Sequence, residues 1–147
     1  FDLKNPSWME AVCTDPAEGA VLFASGVFYY FTTEAVKSLT IDIAKRFPGG
    51  RLVFDAAGQA AVRLMLKTWV KQAGIRDVGA YFSVKNAKQE LEPWSQLFLV
   101  SSRGYMLGYQ SLHAPAVRPI HRLLAKMADE LMHLQIVRID FAEYIYD

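Results

Sequence analysis

Two short runs frame the most regular part of this chain. Residues 20–24 and 51–54 are continuous rather than alternating in their apolar positions, the pattern of strands covered on both faces, so both are predicted to be central strands of a parallel sheet. Between them Val36, Leu39 and Ile43 recur every three or four positions across residues 34–46, with Phe47 next in register. Thr32 and Thr33 offer hydroxyls to cap such a helix, and Pro48-Gly49-Gly50 stops it. A crossover of this length makes the two strands parallel and right-handed, so their carboxyl ends open on one edge of the sheet. Ser25-Gly26 and Asp55 stand at those ends, where open α/β sheets hold their ligands.

The helical period returns in residues 59–72, with Ala60, Ala61, Leu64, Met65, Leu66, Trp69 and Val70 forming a stripe that ends before Gly74. Residues 78–84 fit strand or helix equally, and residues 86–91 predict a short helix. Residues 97–102 give a third strand, followed by a connection holding Gly104, Gly108, Pro115 and Pro119, a long loop that would border a site. Residues 120–134 repeat apolar positions at Leu123, Leu124, Met127, Leu131 and Leu134, read as ordinary amphipathic packing. Residues 135–141 then place Ile136, Val137, Ile139 and Phe141 in a last strand. Four strands with at least three substantial helices define an α/β class. Residues 20–24 are too apolar for an exposed sheet edge, and no glycine-rich phosphate or nucleoside loop precedes them. The expectation is one partial domain over residues 1–147, the back half of a larger one.

Composition narrows the function classes. A length of 147 residues suits one domain that buries roughly 70% of its unfolded surface. Sixteen basic and fifteen acidic residues leave a net charge of +1 with no basic run, which argues against nucleic acid or anionic lipid as a partner. Cys13 is the single cysteine; it excludes an internal disulfide or a multi-cysteine metal site, makes the cytoplasm the default compartment, and reads as a small buried hydrophobe. No apolar stretch approaches the ~18 residues of a membrane span. His113, His121 and His133 are too widely spaced to share a helical face, and no GxSxG turn occurs, so no metal site or serine nucleophile is expected. Each histidine reads as a surface or packing residue, and Trp94 as the anchor of a loop on the core.

Asp2-Leu3 followed by Trp8, the blocks VLFASGVFYYF, RFPGGRLVFD and FSVKNAKQELEPWS, and the closing LLAKMADELMHLQIVRIDF carry a resemblance that covers nearly the whole chain. Together they resemble the carboxyl-terminal half of the leucine carboxyl methyltransferase-like group, which includes the tetracenomycin polyketide O-methyltransferases. The resemblance implies a Rossmann-like, class I S-adenosylmethionine-dependent methyltransferase fold. The four strands would then be the fourth to seventh of a seven-stranded mixed sheet, with residues 135–141 inserted antiparallel. The family's glycine-rich half has no counterpart here.

What the resemblance implies about function is an S-adenosylmethionine-dependent O-methyltransferase that acts on a small-molecule or polyketide-like hydroxyl or carboxylate, with this segment inactive alone. Asp2 and Leu3 match the adenine-loop pair, Asp2 offering a carboxylate acceptor and Leu3 a backbone amide; taken alone, Asp2 reads as a solvated terminus. Ser25 and Gly26 stand where many members have a glutamate and a small residue beside the cofactor, so contact there falls to backbone or water. Otherwise Ser25 ends a strand and Gly26 permits a turn. Tyr30 matches a family tyrosine, and Tyr29 and Tyr30 suit either a pocket wall facing a sulfonium or core packing. Asp55 could orient an acceptor hydroxyl, serve as general base, or cap the helix near Gln59. No catalytic residue is assigned. The rival reading is a non-catalytic α/β interaction module, stabilised by a partner or by self-association through an exposed strand edge.

Overall fold

In a computed structural model, the described residues are Leu3, 5–12, Asp15, 19–72, Gly74, Gly79, 81–110 and 115–143. Helix α1 (Ser7–Val12) precedes strand β1 (Val21–Ala24), a 3-10 turn (Phe28–Tyr30), helix α2 (Thr33–Arg46) and strand β2 (Arg51–Ala56). Helix α3 (Gln59–Met65) runs on into a π-helical stretch (Leu66–Val70). Helix α4 (Ala87–Leu91), a 3-10 turn (Glu92–Trp94), strand β3 (Phe98–Gly104), helix α5 (Leu107–Gln110), helix α6 (Pro119–Met132) and strand β4 (Gln135–Phe141) complete the order.

Local chemistry accounts for several of these bounds. The Thr32 hydroxyl accepts from the Ala35 N–H at 3.2 Å and starts α2. Asn86 accepts from Gln89 N–H at 3.2 Å, while Glu90 reaches back to the Asn86 N–H at 2.7 Å, which satisfies donors that the first turn of α4 leaves open. Pro119 opens α6, where its missing N–H costs nothing.

The sheet order is β1-β2-β4-β3. Strands β1 and β2 are parallel, and β4 lies antiparallel between β2 and β3, as the resemblance implies. One face of the sheet presents Leu52, Phe54, Val137, Ile139, Phe98 and Val100 to a single core that also holds Val36, Leu39 and Ile43 of α2, Phe82, Val84 and Leu91. Phe28 meets Phe54 edge-on at 5.0 Å between centroids, and Trp94 packs on Phe82 at 6.2 Å, anchoring its loop to the core as expected.

The opposite face corrects two expectations. Residues 20–24 and 51–54 were expected to be covered on both sides; instead β1 is a sheet edge, and its Val21 and Phe23 are 60% and 75% exposed. Among the described residues no strand pairs with the outer side of β1, and alternation rather than continuity governs burial in β2, where Leu52, Phe54 and Ala56 are buried and the residues between them only partly so. Farther across this face Asp140 bridges Arg51 at 2.5 Å and Arg138 at 2.8 Å. The stripe on α6 is not packed away either: Leu123, Leu124, Met127 and Leu131 are all exposed, and only Ala125 of that helix is buried. No helix among the described residues is long and apolar enough to cross a membrane.

Candidate functional site

The site forms where β1 and β2 end. Parallel register sets Ala24 beside Phe54, so the residue after Phe54, Asp55, lies against the turn that leaves β1. Gly26 makes that turn with φ +66, and a Cβ there would meet nothing within 4 Å. Glycine is therefore favoured by backbone conformation, not by space. The bent backbone aims the Gly26 N–H at Asp55, which accepts it through Oδ1 at 2.6 Å.

Tyr29 follows in the 3-10 turn with its side chain buried. Burial pushes its phenol far above the ordinary tyrosine range, and the negative Asp55 carboxylate, the hydrogen bond to Asp55 and the nearby Tyr105 push the same way. Tyr29 is thus held neutral, as a donor to Asp55. Around this pair the chain is tied by long-range bonds. Tyr81 N–H donates to the Tyr29 carbonyl at 2.8 Å and Val84 N–H to the Ala57 carbonyl at 2.9 Å. The buried Gln135 amide donates to Val84 O at 3.1 Å and Lys85 O at 3.3 Å, which satisfies carbonyls that would otherwise be costly to bury.

These elements enclose a cavity of about 570 Å³, within the range of small-molecule sites. Gly26, Tyr29, Tyr30 and Asp55 line one side; Ala61, Val62, Leu64, Met65 and Thr68 line another; Tyr105, Met132 and Leu134 close it. Two tight approaches hold the wall in place. The Gly58 N–H donates to Met132 O at 2.8 Å, and a Cβ on Gly58 would lie 3.0 Å from that oxygen. A Cβ on Gly104 would run into Oδ2 of Asp129. Asp129 accepts from Met106 N–H at 2.9 and 3.0 Å, and Tyr105 N–H donates to Leu134 O at 3.1 Å. Tyr105 is thereby fixed at the cavity.

Four residues singled out in the sequence, Gly26, Tyr29, Tyr30 and Asp55, converge on this cavity. Ser25 is exposed at the end of β1 and does not line it. Leu3 lines a separate hollow of about 170 Å³ with Met9, Ala35, Ser38 and Leu39. Asp2, Cys13 and His113 lie outside the described residues. Asp55 does not cap α3: Gly58 occupies the cap position without a side-chain bond, and the carboxylate is turned to Gly26 and Tyr29 instead. Tyr105, Thr68 and Met132 escaped sequence reasoning. The one signal for Tyr105 was its place beside Gly104 at the head of a long connection.

Chemically, the cavity is an apolar hollow with one carboxylate at its edge. Asp55 is the only charged residue among the described residues that line it. A carboxylate has about four acceptor sites, and two accept from Gly26 and Tyr29. The remainder can receive a hydroxyl proton or face a cation. Among the described residues, no three His, Cys, Asp or Glu side chains group to hold a metal.

No protein-family model matches this chain. No curated protein matches it. Among solved structures it is similar to a candidate methyltransferase from Thermobifida fusca YX, 12% identical with a TM-score of 0.58 over 98% of this chain and 53% of that one. The chain thus spans about half the length of that structure. At this identity the likeness is one of fold alone: a mixed four-stranded sheet flanked by helices, of the Rossmann-like α/β kind.

Proposed function

We propose that this chain is the carboxyl-terminal part of an S-adenosylmethionine-dependent O-methyltransferase of the leucine carboxyl methyltransferase-like group, acting in the cytoplasm on a small-molecule hydroxyl or carboxylate. The observation that carries the reading is the Gly26–Asp55 contact, set at the carboxyl ends of two parallel strands and beside a cavity of about 570 Å³. The fold shared with a candidate methyltransferase supports it. So does the exposed edge of β1, which suits continuation of the sheet into a preceding half-domain.

The donor set fits the cofactor. A sulfonium is a cation with apolar substituents, and the cavity combines the Asp55 carboxylate with the rings of Tyr29 and Tyr30. Gly26 and the backbone of Ser25 would hold the methionine end, with Asp2 and Leu3 toward the adenine. When bound, S-adenosylmethionine supplies a methyl group already attached to a good leaving group, so no further activation of the methyl is needed. The chain's own residues align and protect. The apolar wall of Ala61, Val62 and Met65 excludes water, Asp55 takes the proton of an acceptor hydroxyl, and the neutral Tyr29 holds Asp55 in orientation.

The test is calorimetry on the full-length protein with S-adenosylhomocysteine, NAD and ATP. Heat with the first alone is the expected result; its absence overturns the reading. The exposed Val21, Phe23 and α6 stripe favour one other reading, an interaction module that self-associates. Sedimentation together with the same calorimetry on the full-length protein distinguishes it, since a module of that kind forms dimers and binds none of the three compounds.

A further inference from the structure

Helix α6 wears its apolar face outward. Toward its own domain it presents His121, Arg122, Ala125, Ala128, Asp129 and Met132, buried or partly buried, while Ile120, Leu123, Leu124, Met127 and Leu131 stand exposed. An amphipathic helix ordinarily buries the second set. Local bonds fix this orientation: Asp129 accepts from the Met106 N–H at 2.9 Å, and Nδ1 of His121 accepts from the Arg118 N–H at 3.3 Å. The apolar face cannot roll inward without breaking them.

We propose that this face pairs with the same face of a second copy of the protein, as an antiparallel two-helix seam. Ile120, Leu124, Met127 and Leu131 follow one another at intervals of four, three and four residues, the spacing that keeps one straight row of side chains against a facing helix. The row is also self-complementary. About a two-fold axis passing between Ala125 and Lys126, Ile120 of one copy meets Leu131 of the other and Leu124 meets Met127, the isologous arrangement of a homodimer. Antiparallel packing also sets the two helix dipoles favourably. Along one flank the Lys126–Glu130 ion pair, at 3.7 Å, gives the apolar centre a charged rim. Size and place agree with this. The five exposed side chains offer on the order of 500 Å² per copy, so the pair buries about 1,000 Å², the lower bound of a specific interface. The exposed Leu107 and Tyr109 of α5, which packs beside α6, extend the same patch. Moreover, α6 connects β3 to β4, the two strands farthest from the β1 edge, so a half-domain that continues the sheet at β1 enters on the other side.

Sedimentation of the full-length protein over a concentration series tests the pairing, which does not rest on the methyltransferase reading. The unaltered protein is expected to be a dimer. Leu124→Lys and Met127→Glu each put a charge into the seam without touching the cavity, and each should weaken the dimer roughly a hundredfold. Equal amounts of the two variants, mixed, should recover dimers, because the introduced charges then face each other with opposite sign and Leu124 still meets Met127 across the other half of the axis. A monomeric unaltered protein overturns the proposal, a result that needs no variant to fold; if Leu124→Lys also lowers the urea midpoint of that monomer, another part of the same polypeptide covers the stripe. A dimer that neither substitution weakens overturns it too, as does a mixture that stays monomeric. If the dimer forms while S-adenosylhomocysteine gives no heat, the pairing stands and the enzyme reading falls.

Discussion

Removing one oxygen at Tyr29 reports directly on the arrangement that defines the site. Tyr29→Phe keeps the ring in its buried place and deletes the phenol that donates to Asp55. A hydrogen bond to a charged group contributes about 1.5–3 kcal/mol. Asp55 is only partly buried, so water replaces some of that bond and the loss should lie near ~1.5 kcal/mol. With a urea m-value of about 2 kcal/mol/M, the unfolding midpoint should fall by about 0.7 M with m unchanged. In an Asp55→Asn background the same deletion removes only a neutral bond and should cost about half as much. Tyr29 also holds its proton more tightly folded than unfolded. Its contribution is therefore complete below about pH 10, where an unfolded tyrosine begins to ionise, and is lost as pH rises beyond, by up to about 1.4 kcal/mol per pH unit. The unaltered protein should lose stability above pH 10 faster than Tyr29→Phe does. Equal costs in both backgrounds would refute the Tyr29–Asp55 pairing, and parallel pH profiles would refute the raised phenol, whose first cause is burial.

Three further outcomes can be measured in the same way. Phe54→Ala, which empties a buried position beside Phe28 and Phe82, should cost about 3–5 kcal/mol in urea unfolding, whereas Phe23→Ala on the open face should stay within about 0.5 kcal/mol; similar values would contradict the one-sided core. Gly104→Ala drives a Cβ against Asp129, so it should destabilise by about 1–3 kcal/mol in urea unfolding; a variant as stable as the unaltered protein would contradict that close packing. Partial burial works against ionisation of Asp140, but hydrogen bonds and charge from Arg138 and Arg51 win and hold its carboxyl below the ordinary range. Its stabilisation is thus present above the usual carboxylate pKa and lost as pH falls through the lowered one, so Asp140→Asn should cost up to about 1 kcal/mol at pH 7 and progressively less as the pH is taken below the usual carboxylate range. A difference that persists in acid would point away from the two arginines.

Much of the fold was legible because its causes are local. The period of Val36, Leu39 and Ile43, the Thr32 cap and the stop at Pro48-Gly49-Gly50 define α2 within a few residues of each other in sequence, and the structure places the helix at Thr33–Arg46. The last strand came out at its expected bounds, Gln135–Phe141. Half of the site was legible for a related reason. Gly26, Tyr29, Tyr30 and Asp55 sit at strand ends, and the parallel crossover brings strand ends together.

The rest was decided by contacts between residues far apart in the chain, which no local pattern encodes. Asp55 had three open roles until the register of β1 on β2 set it against Gly26. Tyr105 joined the cavity only because β4 inserts between β2 and β3, so that Leu134 and Asp129 can hold the turn after β3. The continuous apolar run of β1 spoke for a strand but not for what covers it: burial belongs to the neighbours, and on the side of Val21 and Phe23 the described structure supplies none. By itself, then, the sequence determined the four strands and the longer helices and which side chains stand at their ends, since backbone propensity, capping and periodicity act over a few residues, whereas the short helices Ser7–Val12 and Leu107–Gln110, the second inside the expected long loop, were not legible in it. The order of the sheet, the face left open and the closing of the cavity around one carboxylate were settled by tertiary packing, because each depends on surfaces that meet only after the chain has folded.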